Sequence, residues 1–212
     1  MNKKDIEDIF LILKEKYETQ SLIELQYKNP YTLLVAVILS AQSTDAGVNK
    51  ATKELFKKID NPKAMIKLGE ENLKQYIKTI NYFNTKAKHI IIMSKQLIEN
   101  FNSKLPDTFE DMLTLAGVGR KTANVVLNIL QDKPRVGVDT HVFRVTNRIG
   151  IVNTKNVLET EKQLLKKIPI KYLKYINHYF VLFGRYNCKA KKPNCENCIL
   201  QKYCKYYKQQ HK

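Results

Sequence analysis

Apolar residues recur at intervals of three and four through residues 5–17, 73–80, 86–101 and 157–168, the period that turns one stripe of an α-helix toward a core. Residues 31–40 are apolar almost without interruption. Composition allows a buried strand there, but the pattern continues unbroken into residues 49–56, which favours a helix covered on all sides. Helix starts and stops are marked by Asn29-Pro30, Asn61-Pro62, Gly69, Pro106 and Pro169. No run alternates with period two, and no internal repeat or low-complexity segment is present. The expectation is an all-α fold, with the Pro-containing loop at 131–138 as the local candidate for a domain boundary.

Two further helical patterns flank the stretch Leu115-Ala116-Gly117-Val118-Gly119-Arg120-Lys121-Thr122-Ala123. The first starts near Asp107, with Thr108 as its cap and Asp111 three residues later; the second runs from about Arg120 to Leu130. Gly117 and Gly119 permit positive φ and close backbone approach to a ligand. The helix that follows opens with unpaired amides and the positive end of its dipole, a setting that suits a DNA phosphate. On the glycines alone, an ordinary tight helix–helix turn explains the pattern as well. Lys121 adds weight, because it lies in a first helical turn, where the dipole disfavours a cation. An amine nucleophile has to be neutral, and an ordinary lysine with pKa about 10.4 is neutral in roughly one part per thousand near neutrality. A helix start combined with burial raises that fraction. Simple phosphate contact by Lys121 is the alternative.

In Gly137-Val138-Asp139-Thr140-His141-Val142-Phe143-Arg144-Val145, Asp139 precedes a helical pattern, where N-capping is the commonest job of an aspartate. As chemistry, a carboxylate near Lys121 assists proton transfer and stabilises a cationic sugar. His141 is expected to be structural or to touch phosphate.

The 212 residues carry a formal charge of +17, which favours a polyanionic partner. Residues 185–212 hold eight Lys or Arg against one acid, Glu196, so the charge is uneven. No apolar run reaches the roughly 18 residues of a spanning helix, and the amino terminus does not read as a signal peptide. A cytoplasmic protein that meets nucleic acid and no membrane is expected. All four cysteines follow the pattern Cys188-x6-Cys195-x2-Cys198-x5-Cys204. In a reducing compartment such a cluster reads as metal ligation. Zinc on four thiolates and a [4Fe–4S] cluster both fit, and the lopsided intervals lean to the cluster. Lys189, Lys191 and Lys192 sit inside the first ligand interval, where a metal would fix three cations for phosphate contact.

Taken together, the glycine hairpin with Lys121, the Val138-Asp139-Thr140-His141 stretch and the four-cysteine ending resemble endonuclease III. Ile38-Leu39-Ser40-Ala41-Gln42-Ser43-Thr44-Asp45, Val48-Asn49-Lys50-Ala51-Thr52 and Gly184-Arg185-Tyr186 are similar to that family too. The match runs from about residue 30 to Cys204. It implies a helix-hairpin-helix DNA glycosylase fold with a six-helix barrel at 22–133, the hairpin at about 107–130. Residues 1–21 and 134–212 would form a cluster domain whose [4Fe–4S] loop is 188–204, with a DNA cleft between the lobes. The resemblance further implies a monomeric glycosylase and abasic-site lyase acting on oxidised pyrimidines in double-stranded DNA. Lys121 would form a Schiff base and Asp139 would assist. DNA contacts would come from Gln42, Tyr82, Gly117, Val118, Gly119, Arg120, His141, Arg144, Lys189, Lys191 and Lys192, and Gln42 would enter the gap left by the extruded nucleotide. Cys188, Cys195, Cys198 and Cys204 would hold the cluster in a structural role. Two departures stand out: Ala116 replaces the family's usual proline, and Asn81-Tyr82 replaces glycine and an apolar wedge. Two rivals are weaker. Adenine-specific relatives carry a catalytic glutamate where this chain has Ala36 and lack the hairpin lysine. A zinc-bound DNA-binding module without activity leaves Lys121 and Asp139 without a purpose.

Overall fold

The computed structural model describes residues 1–18, 24–131 and 135–210, and among these there is no strand. The chain divides into two compact units, Met1–Ile23 with Asp132–Lys212, and Glu24–Gln131. The expected boundaries at 22 and 133, and the proline of the expected linker, lie outside the described residues. Among the described residues no helix is long and apolar enough to cross a membrane.

Helix α1 (Lys3–Tyr17) belongs to the first unit. The Asn2 side chain accepts from the Asp5 amide, and Ile6, Ile9, Phe10, Leu13 and Tyr17 form the buried stripe.

The second unit is built around α2 (Pro30–Ser40). Asn29 and Thr32 form a reciprocal cap, Pro30 occupies the first turn, and every residue from Tyr31 to Leu39 is buried. The apolar run is therefore a central helix, but the expected continuation is interrupted at 41–44 before α3 (Asp45–Lys58) starts on its Thr44 cap. Asn61 and Pro62 open α4 (Pro62–Leu68). Gly69, at φ 80°, ends it and begins α5 (Glu70–Ile77), a left-handed turn that favours glycine. Helix α6 (Phe83–Phe101) packs on α2, α4 and α5, and the Tyr31 hydroxyl meets Ser94 Oγ at 2.7 Å. Helix α7 (Phe109–Thr114) begins on the expected Thr108–Asp111 cap. Helix α8 (Arg120–Gln131) packs on α2 and α7.

The first unit resumes with α9 (Thr140–Ile149), α10 (Val157–Lys167), α11 (Ile170–Leu173), α12 (Ile176–Tyr186) and α13 (Lys205–Gln210), with a 3-10 turn at Gln201–Tyr203. Phe10, Val142, Val145, Ile149, Phe180, Phe183 and Leu200 share its core, and the side chains of Cys188, Cys198 and Tyr203 pack against it. The carboxyl-terminal loop is thus seated on the helices and not appended to them.

Candidate nucleic-acid interface and metal centre

In the hairpin between α7 and α8, only one of the two glycines is demanded by backbone conformation. Gly117 has φ 77°, and a Cβ there would lie 3.0 Å from the Cβ of His89 on α6. Gly119 has no such φ, and a Cβ there would meet nothing within 4 Å. Its bare backbone leaves the surface open to whatever approaches. Among the described residues neither glycine donates its N–H to a backbone carbonyl. Val118 departs from expectation: its side chain is buried and its amide donates to Leu115 O at 3.1 Å, so it shapes the turn and offers no donor outward. The guanidinium of Arg120 lies over the Phe109 ring at 4.8 Å.

Lys121 occupies the first turn of α8 as expected, but it is exposed. The burial that amine activation calls for is not supplied by the protein alone.

Sequence reasoning missed the brace behind this hairpin. Gln96 on α6 donates from Nε2 to Thr114 O at 3.0 Å, and its Oε1 accepts from the Ala116 amide at 2.8 Å. A proline at 116 would have no amide to give; with alanine there, a side-chain amide holds the turn instead. Gln96→Ala is expected to loosen the hairpin, costing about 1–2 kcal/mol and weakening duplex binding several-fold. Urea denaturation and a binding isotherm check this, and unchanged affinity would show that the brace does not organise the hairpin.

At the end of α2 the same unit builds a second exposed feature. Gln42 (φ 55°) and Tyr82 (φ 58°, 65% exposed) are both left-handed. The Asn81 side chain donates to Gln42 O at 2.6 Å. Beneath them Lys86 is buried, its Nζ donating to Leu39 O, Ala41 O and Ser43 Oγ at 2.7, 2.6 and 3.3 Å. Burial pushes its pKa down. These bonds explain why α2 ends at Ser40: its last carbonyls turn to an ammonium and not to a continuing helix. A lysine on a largely apolar helical face was the local signal.

In the first unit Asp139 caps α9, Oδ1 accepting from the His141 and Val142 amides at 2.9 Å each. The preceding segment is anchored by buried Val136 and Val138. Asn177 of α12 adds to this, accepting from the Gly137 amide at 2.9 Å and donating to the Gly137 carbonyl. The carboxylate is therefore held in a defined orientation. His141 Nδ1 meets Arg144 Nη2 at 3.1 Å; since a guanidinium only donates, that nitrogen accepts and the ring is neutral. Burial lowers the His141 pKa, opposed by the charge of Asp139. Arg144, expected on DNA, also donates to Cys188 O at 3.1 Å, Thr140 O at 3.3 Å and Gly184 O at 3.1 Å. Its guanidinium is an internal bracket. A Cβ on Gly184 would lie 3.0 Å from His141 and 3.2 Å from Arg144, so close approach of α9 and α12 accounts for that glycine.

The four cysteines line one pocket with Ile149, Phe183 and Leu200. Burial raises the thiol pKa values of Cys195, Cys198 and Cys204, and neighbouring thiols raise them further. The Leu200 amide and Asn187 side chain donate to Cys198 sulfur, and the Tyr206 and Tyr207 amides to Cys204 sulfur. Such donors suit thiolates whose protons a metal has displaced. The four thiols line one shared space. Arg148, also missed from sequence, donates to Lys189 O at 2.7 Å and Ala190 O at 3.0 Å, lies over Tyr206, and approaches Cys188 sulfur at 3.7 Å. One turn beyond Arg144, it fixes the start of the loop whose Lys189, Lys191 and Lys192 are exposed.

Residues 35–170 match the family described as HhH-GPD superfamily base excision DNA repair protein, and residues 188–204 match the iron-sulfur binding domain of endonuclease III. The chain is 48% identical over 206 residues to endonuclease III of Haemophilus influenzae, covering 97% of each chain. The chain belongs to the endonuclease III family. It is 54% identical over 184 residues to the endonuclease III of Rickettsia conorii, covering 87% of this chain and 88% of that one. A solved trapped endonuclease III–DNA covalent intermediate superposes with a TM-score of 0.92 at 39% identity, covering 100% of both chains. A thermostable thymine-DNA glycosylase at 23% identity and TM-score 0.87 shares the fold. As a member of the endonuclease III family the chain is a bifunctional DNA glycosylase and abasic-site lyase of base-excision repair, and it binds DNA. Its cofactor is the family's [4Fe–4S] cluster, and all four cysteines fall within the matched segment.

Proposed function

We propose that this endonuclease III-family chain acts as a monomer on double-stranded DNA carrying an oxidised pyrimidine or an abasic site, with Lys121 as nucleophile and Asp139 as its partner. The observation that carries the reading is the Lys121 amine, exposed on the first turn of α8 two residues after the open backbone of Gly119. A phosphate seated on the hairpin amides brings the sugar of the extruded nucleotide to that amine, and DNA laid over Lys121 supplies the water exclusion that the free protein lacks. The Lys121 nitrogen bonds to C1′ as the C1′–N bond to the base breaks, the base leaving with a proton. Ring opening gives a Schiff base. Loss of a 2′ proton then expels the 3′ phosphate, and water releases the lysine. The Asp139 carboxylate stabilises the cationic sugar and takes part in the proton transfers.

Cys188, Cys195, Cys198 and Cys204 hold the cluster, which supplies a rigid, multi-thiolate cross-link when bound. Lys189, Lys191 and Lys192, with Arg120 and the hairpin glycines, meet phosphate. The test uses a duplex with one thymine glycol. Release of the damaged base with a strand cut on the 3′ side is expected; release with an intact strand, or no release, overturns the proposal.

A further inference from the structure

We infer that Lys86 is a positioning residue whose buried ammonium, together with Asn81, holds Gln42 and Tyr82 as a paired probe for the gap left when a nucleotide leaves the duplex. The inference rests on the reading that this chain acts on an extruded nucleotide, and it adds what keeps the gap-filling residues in place.

Lys86 joins the two turns physically. Its backbone amide donates to Tyr82 O at 3.0 Å, and its three ammonium donors reach Leu39 O, Ala41 O and Ser43 Oγ on either side of Gln42. An ammonium has three donors, and three acceptors are met here. Burying a cation among neutral acceptors is costly. Ending a helix does not require it, since a glycine or water would satisfy the same carbonyls. The conformations it holds are themselves unfavourable: a left-handed residue with a side chain costs about 1 kcal/mol or more and persists only where its surroundings enforce it. Gln42 and Tyr82 are two such residues, both exposed, and Asn81 Nδ2 ties the first to the second at Gln42 O. A 65% exposed tyrosine in a strained turn adds nothing to the core, but its ring presents a face on which a base stacks, worth about 1–3 kcal/mol per base. Gln42 beside it presents an amide that pairs with the edge of an orphaned base.

The experiment compares binding of two duplexes by anisotropy: one undamaged, one with a tetrahydrofuran residue that leaves a gap and cannot react with an amine. A 2-aminopurine opposite the tetrahydrofuran reports insertion. Lys86→Met keeps the length of the stem and removes the three donors. It is expected to lower the preference for the gapped duplex by about tenfold or more, to leave affinity for undamaged duplex within about twofold, and to abolish the 2-aminopurine change. Asn81→Ala severs the strut without touching the buried charge, and a smaller loss of preference in the same direction is expected. If both variants keep the wild-type preference and fluorescence change, the inference is overturned. Should Lys86→Met weaken both duplexes in parallel, Asn81→Ala decides: lost preference supports the inference, retained preference overturns it. Because tetrahydrofuran cannot form a Schiff base, these readings are independent of whether Lys121 proves to be the nucleophile.

Discussion

Replacing Lys121 by alanine is expected to remove the covalent adduct that borohydride traps between this protein and abasic duplex DNA, with the trapping rate falling on the order of 10³-fold or more. Affinity for an uncleavable abasic analogue should change only a few-fold, since one exposed amine among many cations is lost. The separation of the two readouts is what identifies a nucleophile: a lysine that merely touches phosphate weakens binding and leaves trapping intact at saturating DNA. Asp139→Asn is the companion variant. Asparagine caps a helix as well as aspartate does, so the Oδ1 bonds to the His141 and Val142 amides survive while the charge is gone. Release of an oxidised base should slow by roughly 10²–10⁴-fold, with melting little altered. Equal trapping by wild type and Lys121→Ala would sink the assignment.

Loss of one cysteine should be felt as a folding defect in the first unit. The 188–204 segment is held by local turns and by the pocket its thiols share. Leu200 is fully buried in the core, and the Tyr203 hydroxyl donates to Asp8 of α1 at 3.1 Å. A loop that loses its cluster therefore disturbs α1 and α9 as well. Cys198→Ser is expected to abolish the yellow-brown colour and the iron content and to destabilise that unit by about 3 kcal/mol or more. That exceeds the roughly 1 kcal/mol of an ordinary substitution and amounts to a melting shift on the order of 15 °C. Calorimetry with iron analysis reads both. A variant that is colourless yet melts unchanged would show that the cluster does not hold the fold.

What was legible in the sequence was what is local. The Thr108–Asp111 cap, the Asn61-Pro62 and Gly69 breaks, the buried helix at 30–40 and the metal spacing each lie within a few residues of their cause. Two of the misreadings concern side chains whose partners are far along the chain. Lys86 bonds to groups 43–47 residues away, so no pattern near residue 40 announced that α2 would stop. Arg144 stands among the DNA contacts that the resemblance implies, yet its acceptors lie in part on residues 184 and 188. Val118 sits between two glycines, and spacing does not reveal which way its side chain and amide turn. The burial expected for Lys121 is absent, the side chain being exposed.

Helix α6 carries Tyr82 at its start and, fourteen residues on, the Gln96 that braces the hairpin. At 1.5 Å per residue those two stations stand about 21 Å apart along one stiff rod. A single residue inserted between them would turn one station by about 100° relative to the other. This rod therefore tolerates substitution but not a change in length.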